Sequence, residues 1–382
     1  MNTQRKLKVL TVVGTRPEII RLSATIKRLD EFTDHVLVHT GQNYDYELNE
    51  IFFEDLGLRR PDRFLNADTS SLGAVLGSIL VAVEAALLEE RPDAMLVLGD
   101  TNSCIAALMA RRLKIPVYHM EAGNRCFDEN VPEEVNRRLV DHVADYNLVY
   151  TEHARRNLLA EGIHPSRILL TGSPMREVLE GNVEAIDASD VLERQRLEAG
   201  KYILVSLHRE ENVDNPERLA SVLHALRGVA DVYELPVLVS THPRTRKNLE
   251  GQPDELKDSF RFHAPFGFND YVRLQRSARL VLSDSGTLSE ESAILGFPAV
   301  SLRDTIERPE ALETSVTITA GVDRQNILDA VSMTLQSFRA DGPATVPWEY
   351  QVQDTSRRVV SFIRSTAMTH HARAGVRLFE RP

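Results

Sequence analysis

The stretch HMEAGNRCFDENVPEEVNRR, residues 119–138, decides how the chain folds. An apolar run at residues 115–118 leads into it, as a buried parallel strand leads to the carboxyl edge of its sheet. Pro132 then opens a helix, with Asn130 as its predicted N-cap and with acidic residues in the first turn. The stretch therefore predicts a strand, a polar turn and a helix, the unit that builds parallel α/β sheets.

The same stretch gathers side chains that suit acid–base chemistry. Glu121 follows the predicted strand, at the sheet edge where α/β proteins place their ligands. Glu133 and Arg137 are four residues apart, so they share one helical face and should point together toward whatever Glu121 faces. Alternatively, the two form only a surface ion pair worth ~0.3 kcal/mol, and the glutamates only complement the helix dipole. The position of the stretch at a strand end favours a catalytic role.

Length and composition indicate a globular protein with two domains. The 382 residues exceed what one hydrophobic core usually supports, which predicts two domains of ~150 to 200 residues. The net charge of −11 argues against nucleic acid or an anionic membrane as a partner. Two cysteines cannot form a disulfide framework, which suits a reducing cytoplasm. The longest apolar stretch, residues 72–83, is shorter than the ~20 residues that a membrane span needs.

Strand, turn and helix alternate along the whole chain, and a second series begins near Tyr202. We therefore predict an α/β protein with two Rossmann-like domains, each built on a parallel sheet. The N-terminal domain is expected at residues 1–180 and the C-terminal domain at residues 181–355. The last helical stretch, about residues 356–382, is expected to pack back on a domain. The strand ends of the two halves should face each other across a cleft.

Two further candidates come from strand ends in the N-terminal half. Asp100 ends its strand as Glu121 ends the next, so two carboxylates could approach from neighbouring strands. Asp100 could instead cap the following helix. Arg16 beside a helix start suits a phosphate or a carboxylate, although an ion pair with Glu18 is the structural alternative.

The C-terminal half carries a predicted diphosphate site. Residues 285–287, Ser-Gly-Thr, open a helix whose free amides and dipole favour an anion. Thr287 and Glu290 fit a capping box, which leaves Glu291 freer to accept from a ribose diol. Arg308 on a later strand-end loop could reach the same nucleotide. His208 also follows a buried strand, where a lone histidine is more often structural than catalytic.

The sequence predicts neither a metal nor a nicotinamide cofactor. The first strand–helix turn lacks the three spaced glycines of a dinucleotide site. No carboxylate or cysteine lies at metal-ligand spacing from His208 or His242. The chain also lacks the nucleophile elbow of hydrolases and the phosphate loop of NTPases.

Six motifs, in order across nearly the whole chain, resemble the non-hydrolysing UDP-N-acetylglucosamine 2-epimerases. They are GTRPE (residues 14–18), GDT (99–101), MEAG (120–123), PEEVNR (132–137), DSGTLSEE (284–291) and RDTIERPE (303–310). The resemblance implies a glycosyltransferase-B-like architecture, with the active site in the interdomain cleft, the C-terminal helix returning to the N-terminal domain, and a homodimer.

The resemblance also implies roles for individual residues. The expected catalytic residues are Asp100, Glu121, Glu133, Arg137 and His208. The expected UDP and substrate contacts are Arg16, Arg21 (in place of a lysine), Gln42, Tyr271, Ser285, Gly286, Thr287, Glu291 and Arg308. The UDP-sugar should therefore be the only ligand that the reaction requires.

The loop NRCFDEN, residues 124–130, with QNYDYEL at residues 42–48, resembles the branch that acts on 6-deoxy sugars. That branch converts UDP-2-acetamido-2,6-dideoxy-L-talose to UDP-N-acetyl-L-fucosamine for capsule or O-antigen synthesis. Epimerisation of UDP-N-acetylglucosamine is the alternative. A hydrolysing 2-epimerase, a retaining glycosyltransferase and a UDP-sugar sensor without catalysis are also compatible with such a fold.

Overall fold

The computed structural model describes residues 5–41, 46–241 and 243–377. The chain forms two compact units, one of Met1–Gly181 with Val352–Pro382 (unit 1) and one of Asn182–Gln351 (unit 2). Each unit has its own sheet and its own buried core.

Within the described residues, unit 1 is built on a seven-stranded parallel sheet with the order β3-β2-β1-β4-β5-β6-β7. Its strands are β1 (Lys8–Val13), β2 (Asp34–His39), β3 (Arg63–Phe64), β4 (Ala94–Leu98), β5 (Val117–Met120), β6 (Tyr146–Val149) and β7 (Ile168–Leu170). Its helices are α1 (Arg16–Phe32), α2 (Tyr46–Asp55), α3 (Leu72–Glu90), α4 (Ala106–Arg112), α5 (Pro132–Val143), α6 (Glu152–Ala160) and α7 (Met175–Gly181).

Unit 2 has a six-stranded parallel sheet in the part of the chain that the structure describes, with the order β10-β9-β8-β11-β12-β13. Its strands are β8 (Ile203–Leu207), β9 (Val237–Thr241), β10 (Phe260–His263), β11 (Leu280–Ser283), β12 (Ala299–Ser301) and β13 (Ile318–Thr319). Its helices are α8 (Val183–Ala188), α9 (Val191–Arg194), α10 (Glu210–Val213), α11 (Pro216–Tyr233), α12 (Pro243–Leu249), α13 (Asp254–Lys257), α14 (Phe268–Ser277), α15 (Leu288–Leu295), α16 (Pro309–Glu313) and α17 (Arg324–Asp341).

Both strand orders reverse direction once, and each reversal leaves a crevice at the carboxyl ends of two neighbouring strands. In unit 1 the reversal lies between β1 and β4, which pair in parallel with Val9 beside Ala94. In unit 2 it lies between β8 and β11, where Ile203 is beside Leu280. The loops that follow these four strands are therefore where each unit would bind a ligand.

The C-terminal segment completes unit 1 with α18 (Thr355–Thr366) and α19 (His370–Ala374). Helix α18 packs against α1. The Thr355 hydroxyl donates to the carbonyl of Ser173 at 3.1 Å, and the Tyr118 and Thr366 hydroxyls are 2.6 Å apart. Tyr118 also stacks on Tyr146 with ring centroids 4.9 Å apart. The segment is thus held by polar and aromatic contacts as well as by its apolar face.

Helix α3 is long and apolar enough, by length and composition alone, to cross a membrane. Its mean hydropathy over the window is 1.9, and 28% of that window is buried. Core helices of globular proteins pass the same test. Val75, Ile79, Val83 and Leu87 of α3 pack into the core of unit 1.

Several local predictions were wrong for identifiable reasons. Helix α5 begins at Pro132 with Val131 as its N-cap, and Asn130 instead donates its side-chain amide to Asp128 at 2.8 Å. The short strands β3, β10 and β13 were not predicted, because two to four residues are too few to show an apolar pattern.

His39, at the end of β2, has a buried imidazole whose pKa is strongly lowered. Its ring lies 5.4 Å from that of Phe64, and its Nδ1 accepts the amide of Gly41 at 3.0 Å. Burial lowers the pKa of His39 from 6.5 to about 4. Only the neutral ring can accept at Nδ1, so the native state holds this histidine uncharged at neutral pH.

This shift predicts a loss of stability in mild acid. Between pH 6.5 and pH 4 the unfolded chain binds a proton at His39 that the folded chain does not, so stability falls as the pH falls. From pH 7.5 to pH 5 the loss at this one site is about 2 kcal/mol. The variant His39→Asn keeps a hydrogen-bond acceptor but does not titrate. We expect its free energy of unfolding, measured by chemical denaturation at pH 7.5 and pH 5, to fall by about 2 kcal/mol less than that of the wild type. Equal losses in both proteins would contradict the assignment.

Candidate active site

Glu121 stands in a strained turn at the end of β5. Its φ is +62°, in the left-handed region that residues other than glycine seldom adopt, which costs of order 1–3 kcal/mol. The buried carboxylate pairs with the buried guanidinium of Arg21 and is 3.4 Å from the side-chain amide of Asn124. Arg21, expected as a UDP contact, is therefore a partner of the expected catalytic carboxylate. Strain held in place at a strand end is typical of a functional site.

Asp100 reaches the same sheet edge from β4. Strands β4 and β5 pair with Leu98 beside Met120, so Asp100 and Glu121 leave neighbouring strand ends. The carboxylate of Glu121 lies beside Gly99, since a Cβ on Gly99 would be in ordinary van der Waals contact with it at 3.9 Å. Asp100 accepts from Arg137 Nε at 3.1 Å and from a second guanidinium nitrogen of Arg137. The alternative for Asp100 was a helix cap, but Thr101 holds the cap position of the following 3-10 turn.

On helix α5, Arg137 pairs with Glu134 and not with Glu133, the residue that the four-residue spacing predicts. Arg137 pairs with Asp100 and, through Nη1 at 2.8 Å, with Glu134. Burial alone would raise the pKa of Glu134, but the amide of Cys126 and the charge of Arg137 outweigh it and lower that pKa. Among the residues described, Glu133 is half-buried without an ion pair or hydrogen bond. Glu134 was missed by the sequence analysis, and Glu133 is a carboxylate available to a ligand.

The loop after β1 is tied to the loop after β4 by Glu18. The buried Glu18 carboxylate accepts the amides of Gly14 and Thr15 at 2.8 and 2.7 Å, and the hydroxyl of Thr101 at 3.2 Å. Burial raises the pKa of Glu18, although these donors and Ser103 oppose the shift. Glu18 is thus a brace between the two loops at the strand reversal, rather than a simple ion-pair partner.

Arg16 and Gln42 are the other two residues of unit 1 that the sequence predicts as ligand contacts. The guanidinium of Arg16, next to Glu18 at the start of α1, lies 5.8 Å from the ring centroid of Phe52. Gln42 lies outside the described residues. The described part of the chain contains no group of three or more His, Cys, Asp or Glu side chains that could hold a metal ion.

In unit 2, Asp284 orients His208. His208 Nδ1 lies 3.0 Å from Asp284 Oδ1, while the amides of His208 and Arg209 also donate to this carboxylate at 3.1 Å. Burial would raise the pKa of Asp284, but the charge and hydrogen bond of His208 and the amide of Arg209 lower it. The His208 side chain is 42% exposed. Because Nδ1 is engaged by Asp284, Nε2 is the ring nitrogen that can meet a ligand.

Ser285, Gly286 and Thr287 lie between β11 and α15, where the sequence predicts an anion site. The amides of Ser285 and Thr287, expected to be free, donate to the hydroxyls of Ser283 and Ser285 at 3.0 and 3.3 Å. The hydroxyls of Ser285 and Thr287 are 2.9 Å apart, and Arg308 Nε donates to the carbonyl of Gly286 at 3.0 Å. A Cβ on Gly286 would lie 3.7 Å from Arg209 and 4.0 Å from Arg303, which is buried and bonded to Glu307. Positive side chains therefore lie close to Gly286, the one residue of this loop without a Cβ.

The predicted capping box of α15 is wrong. Thr287 occupies the N-cap without a side-chain bond, and Glu290 pairs with Arg308 at 3.1 Å. Glu290 instead holds the arginine expected at the nucleotide.

Glu291 and Tyr271 lie close to one another in the same unit. Glu291 is buried and accepts from the side-chain amide of Gln275 at 2.6 Å. Tyr271 is half-buried, and burial together with the charge of Glu291 raises its phenol pKa. One oxygen of Glu291 is therefore already engaged, and Gln275 fixes the direction of the carboxylate.

Comparison with known proteins gives consistent matches. Residues 26–364 match the UDP-N-acetylglucosamine 2-epimerase family. A UDP-N-acetylglucosamine 2-epimerase of Methanocaldococcus jannaschii is 38% identical over 342 residues, covering 87% of this chain and 93% of the relative. A UDP-2,3-diacetamido-2,3-dideoxy-D-glucuronate 2-epimerase of Pseudomonas aeruginosa is 35% identical over 342 residues, covering 88% and 95%.

Solved structures agree in fold. A UDP-N-acetylglucosamine 2-epimerase from Rickettsia bellii superposes with a TM-score of 0.89 at 41% identity, covering 96% of this chain and 98% of that one. The Methanocaldococcus jannaschii enzyme in complex with UDP-GlcNAc and UDP gives 0.87 at 36% identity, covering 94% and 100%. The two parallel-sheet units have the glycosyltransferase-B-like fold. The chain belongs to the UDP-N-acetylglucosamine 2-epimerase family, whose members are isomerases.

Proposed function

We propose that the protein inverts C2 of a UDP-2-acetamido sugar by eliminating UDP and adding it back, without hydrolysis. The observation that supports this most directly is the cluster of Asp100 and Glu121 at neighbouring strand ends, with Glu133 on the helix that follows. Their arginine partners, Arg21 and Arg137, hold two of these carboxylates in place. Family membership makes this chemistry the expected one.

The chemistry requires carboxylates because C2 of the hexose lies next to no carbonyl. A base removes the C2 proton while the bond between C1 and the phosphate oxygen breaks, and its electron pair leaves with UDP. The product is a 2-acetamidoglycal with a C1–C2 double bond. In the return step the UDP oxygen attacks C1, and an acid protonates C2 on the opposite face. Acid and base groups are therefore needed on both faces of the ring, a demand that several carboxylates in one cluster can meet.

The UDP moiety is assigned to the residues of unit 2. The loop at Gly286, with Arg308 beside it, would take the diphosphate. His208, oriented by Asp284, would stabilise the charge that develops on the departing phosphate. Tyr271 is the candidate for uracil and Glu291 for the ribose hydroxyls. Arg16 remains a candidate for the diphosphate from unit 1.

For the sugar, we propose a 6-deoxy hexose, UDP-2-acetamido-2,6-dideoxy-L-talose, interconverted with UDP-N-acetyl-L-fucosamine. The support lies in the loop of residues 124–130. Phe127 is 71% exposed and holds a φ of +55°, an uncommon backbone for an aromatic residue, while Cys126 and Asn130 on either side are hydrogen-bonded. An aromatic ring presented in this way suits a methyl at C6 better than a hydroxymethyl.

UDP-N-acetylglucosamine is the second candidate substrate, and the names of relatives favour it. The relatives at 38% and 35% identity are named for different hexoses, so identity at this level does not decide the sugar.

We infer that the protein acts as a homodimer, as the family resemblance implies, and that α3 forms the contact. Gly73, Gly77, Val81 and Ala85 recur every four residues along one exposed face of this helix, and Val81 is 72% exposed. Nothing lies within 4 Å of a Cβ placed on Gly73 or Gly77. Glycine in a helix costs ~1 kcal/mol relative to alanine, so two uncontacted glycines are explained best by close approach of another helix.

Replacing the carboxylates tests the reaction. We expect Asp100→Asn, Glu121→Gln and Glu133→Gln each to lower kcat by ~10²- to 10⁴-fold, because each removes a group that moves or positions a proton. The affinity for UDP, measured calorimetrically, should stay within about threefold, since the nucleotide residues are untouched. Glu31→Gln, an exposed acid on α1, is the matched control. A near-normal kcat in any of the three would remove that residue from the mechanism.

Proton NMR of UDP-sugars in deuterium oxide tests the substrate. We expect deuterium at C2 with both candidates and a higher kcat/KM for the 6-deoxy sugar, and Phe127→Ala should reduce that preference by ~10-fold. Turnover of UDP-N-acetylglucosamine alone would refute the proposed sugar. Release of free sugar would indicate a hydrolysing enzyme, and transfer to an acceptor without C2 exchange a glycosyltransferase. UDP binding without any exchange would indicate a sensor.

The proposed dimer contact predicts the effect of a surface charge. Val81→Lys should shift the protein from dimer to monomer in sedimentation velocity, because a lysine cannot be buried unpaired between helices. Val232→Lys on α11, where the valine is 64% exposed, is the matched control and should leave the assembly unchanged. A Val81→Lys protein that remains dimeric would exclude α3.

A further inference from the structure

Asp141 is a buried carboxylate that the proposed reaction leaves without a role. It lies in the last turn of α5, where a negative charge opposes the helix dipole. Three groups face it: the amide of Gly123 donates to it at 3.1 Å, His119 Nδ1 lies 2.9 Å from it, and Arg125 Nη1 forms an ion pair with it at 2.7 Å. All three come from the segment that contains Glu121, and they flank that residue on both sides.

The segment is a backbone turn that needs such support. Glu121 at φ +62° and Gly123 at φ +79° are both left-handed, and a Cβ on Gly123 would meet the carbonyl oxygen of Ala154 at 2.4 Å. Asn157 on α6 donates to the carbonyl of Gly123 at 2.9 Å. The N–H of Gly123 is therefore held by Asp141 and its C=O by Asn157, from two different helices.

His119 extends the contact to the neighbouring strand end. Its Nε2 lies 2.7 Å from the carbonyl oxygen of Gly99, the residue before Asp100, and its Nδ1 faces Asp141. Both ring nitrogens of this fully buried histidine thus meet oxygen atoms. The chain of contacts from Asp141 through His119 reaches the backbone that carries Asp100.

Arg125 balances the charge of the network. Its Nε and Nη2 donate to the carboxylate of Glu161 at 2.8 and 2.7 Å, while Nη1 forms the ion pair with Asp141. Burial of Asp141 would raise its pKa, but His119 and Arg125 outweigh this and lower it. The carboxylate therefore remains ionised, so it can accept from the amide of Gly123 and attract Arg125.

We propose that Asp141 is a positioning residue that fixes the place of Glu121 relative to Asp100. The inference rests on the proposed function, because the separation of these two carboxylates matters only if both act at C2 of one sugar. Asp141 itself does not touch the substrate. It acts through the amide of Gly123 and through His119.

The test is Asp141→Asn, which keeps the size of the side chain and removes its charge. We expect kcat, normalised to UDP-binding sites, to fall ~100-fold, the loss typical of a reacting group displaced by about 1 Å. KM for the UDP-sugar and the affinity for UDP should stay within about threefold. A residue that only stabilised the fold would lower the thermal midpoint and leave the normalised kcat unchanged.

Two companion variants keep the test decisive if Asp141→Asn does not fold. Asn157→Ala removes the other anchor of the Gly123 peptide and should lower kcat ~10-fold with KM unchanged. Glu161→Gln, which leaves Gly123, His119 and Arg125 beside Asp141, should keep kcat within about twofold. Normal kcat in both Asp141→Asn and Asn157→Ala, or in Asn157→Ala alone when the first is unfolded, overturns the inference. If the wild-type protein exchanges no C2 hydrogen, the proposed function fails instead.

Discussion

The turn at Glu121 is the constraint on which the chemistry of unit 1 depends. Successive side chains of a strand point to opposite faces of the sheet. At Glu121, just after β5, the left-handed backbone breaks this alternation and turns the carboxylate toward the end of the neighbouring strand, where Asp100 lies. That conformation is unfavourable by itself, so it persists only because the surrounding groups over-determine it. The pairing of β4 with β5 and the buried network beneath the turn both act on this one residue.

Paired charges are the second feature that both units share. In unit 1 the acids that would face a substrate are held by Arg21 and Arg137, and in unit 2 the basic side chains beside Gly286 are held by Glu290 and Glu307. A buried ion pair contributes little net stability, since desolvation offsets the attraction. Here the ion pairs instead fix the orientation of each side chain before a ligand binds. Fixed dipoles and charges are what stabilise a transition state without a reorganisation cost.

The fold could be predicted from the sequence because buried parallel strands are short continuous apolar runs followed by polar turns. The same logic located Asp100 and Glu121, which depend only on where a strand stops. The same reasoning failed for α5, where the position of each residue around the helix decides which glutamate contacts Arg137. Glu133 and Glu134 are neighbours, and one step around α5 decides which of them meets Arg137.

Long-range partners were beyond the sequence for another reason. Asp284 and His208 are 76 residues apart, and only the pairing of β8 with β11 brings them together. Asp141 is one polar residue of an amphipathic helix, and the groups that face it come from β5 and the loop after it. No pattern along the chain marks such contacts.

The discontinuity of unit 1 has a consequence for biosynthesis. Residues 182–351 form a complete unit of their own between the two parts of unit 1. A ribosome therefore releases seven strands and then an entire second globule before it supplies α18, the helix that covers Tyr118 and Tyr146. During that interval the aromatic surface of the nascent protein is unprotected, and unit 2 can mature first even though it is made later. Exposed apolar surface makes an unfinished chain prone to aggregation, and chaperones can cover such a surface until translation ends.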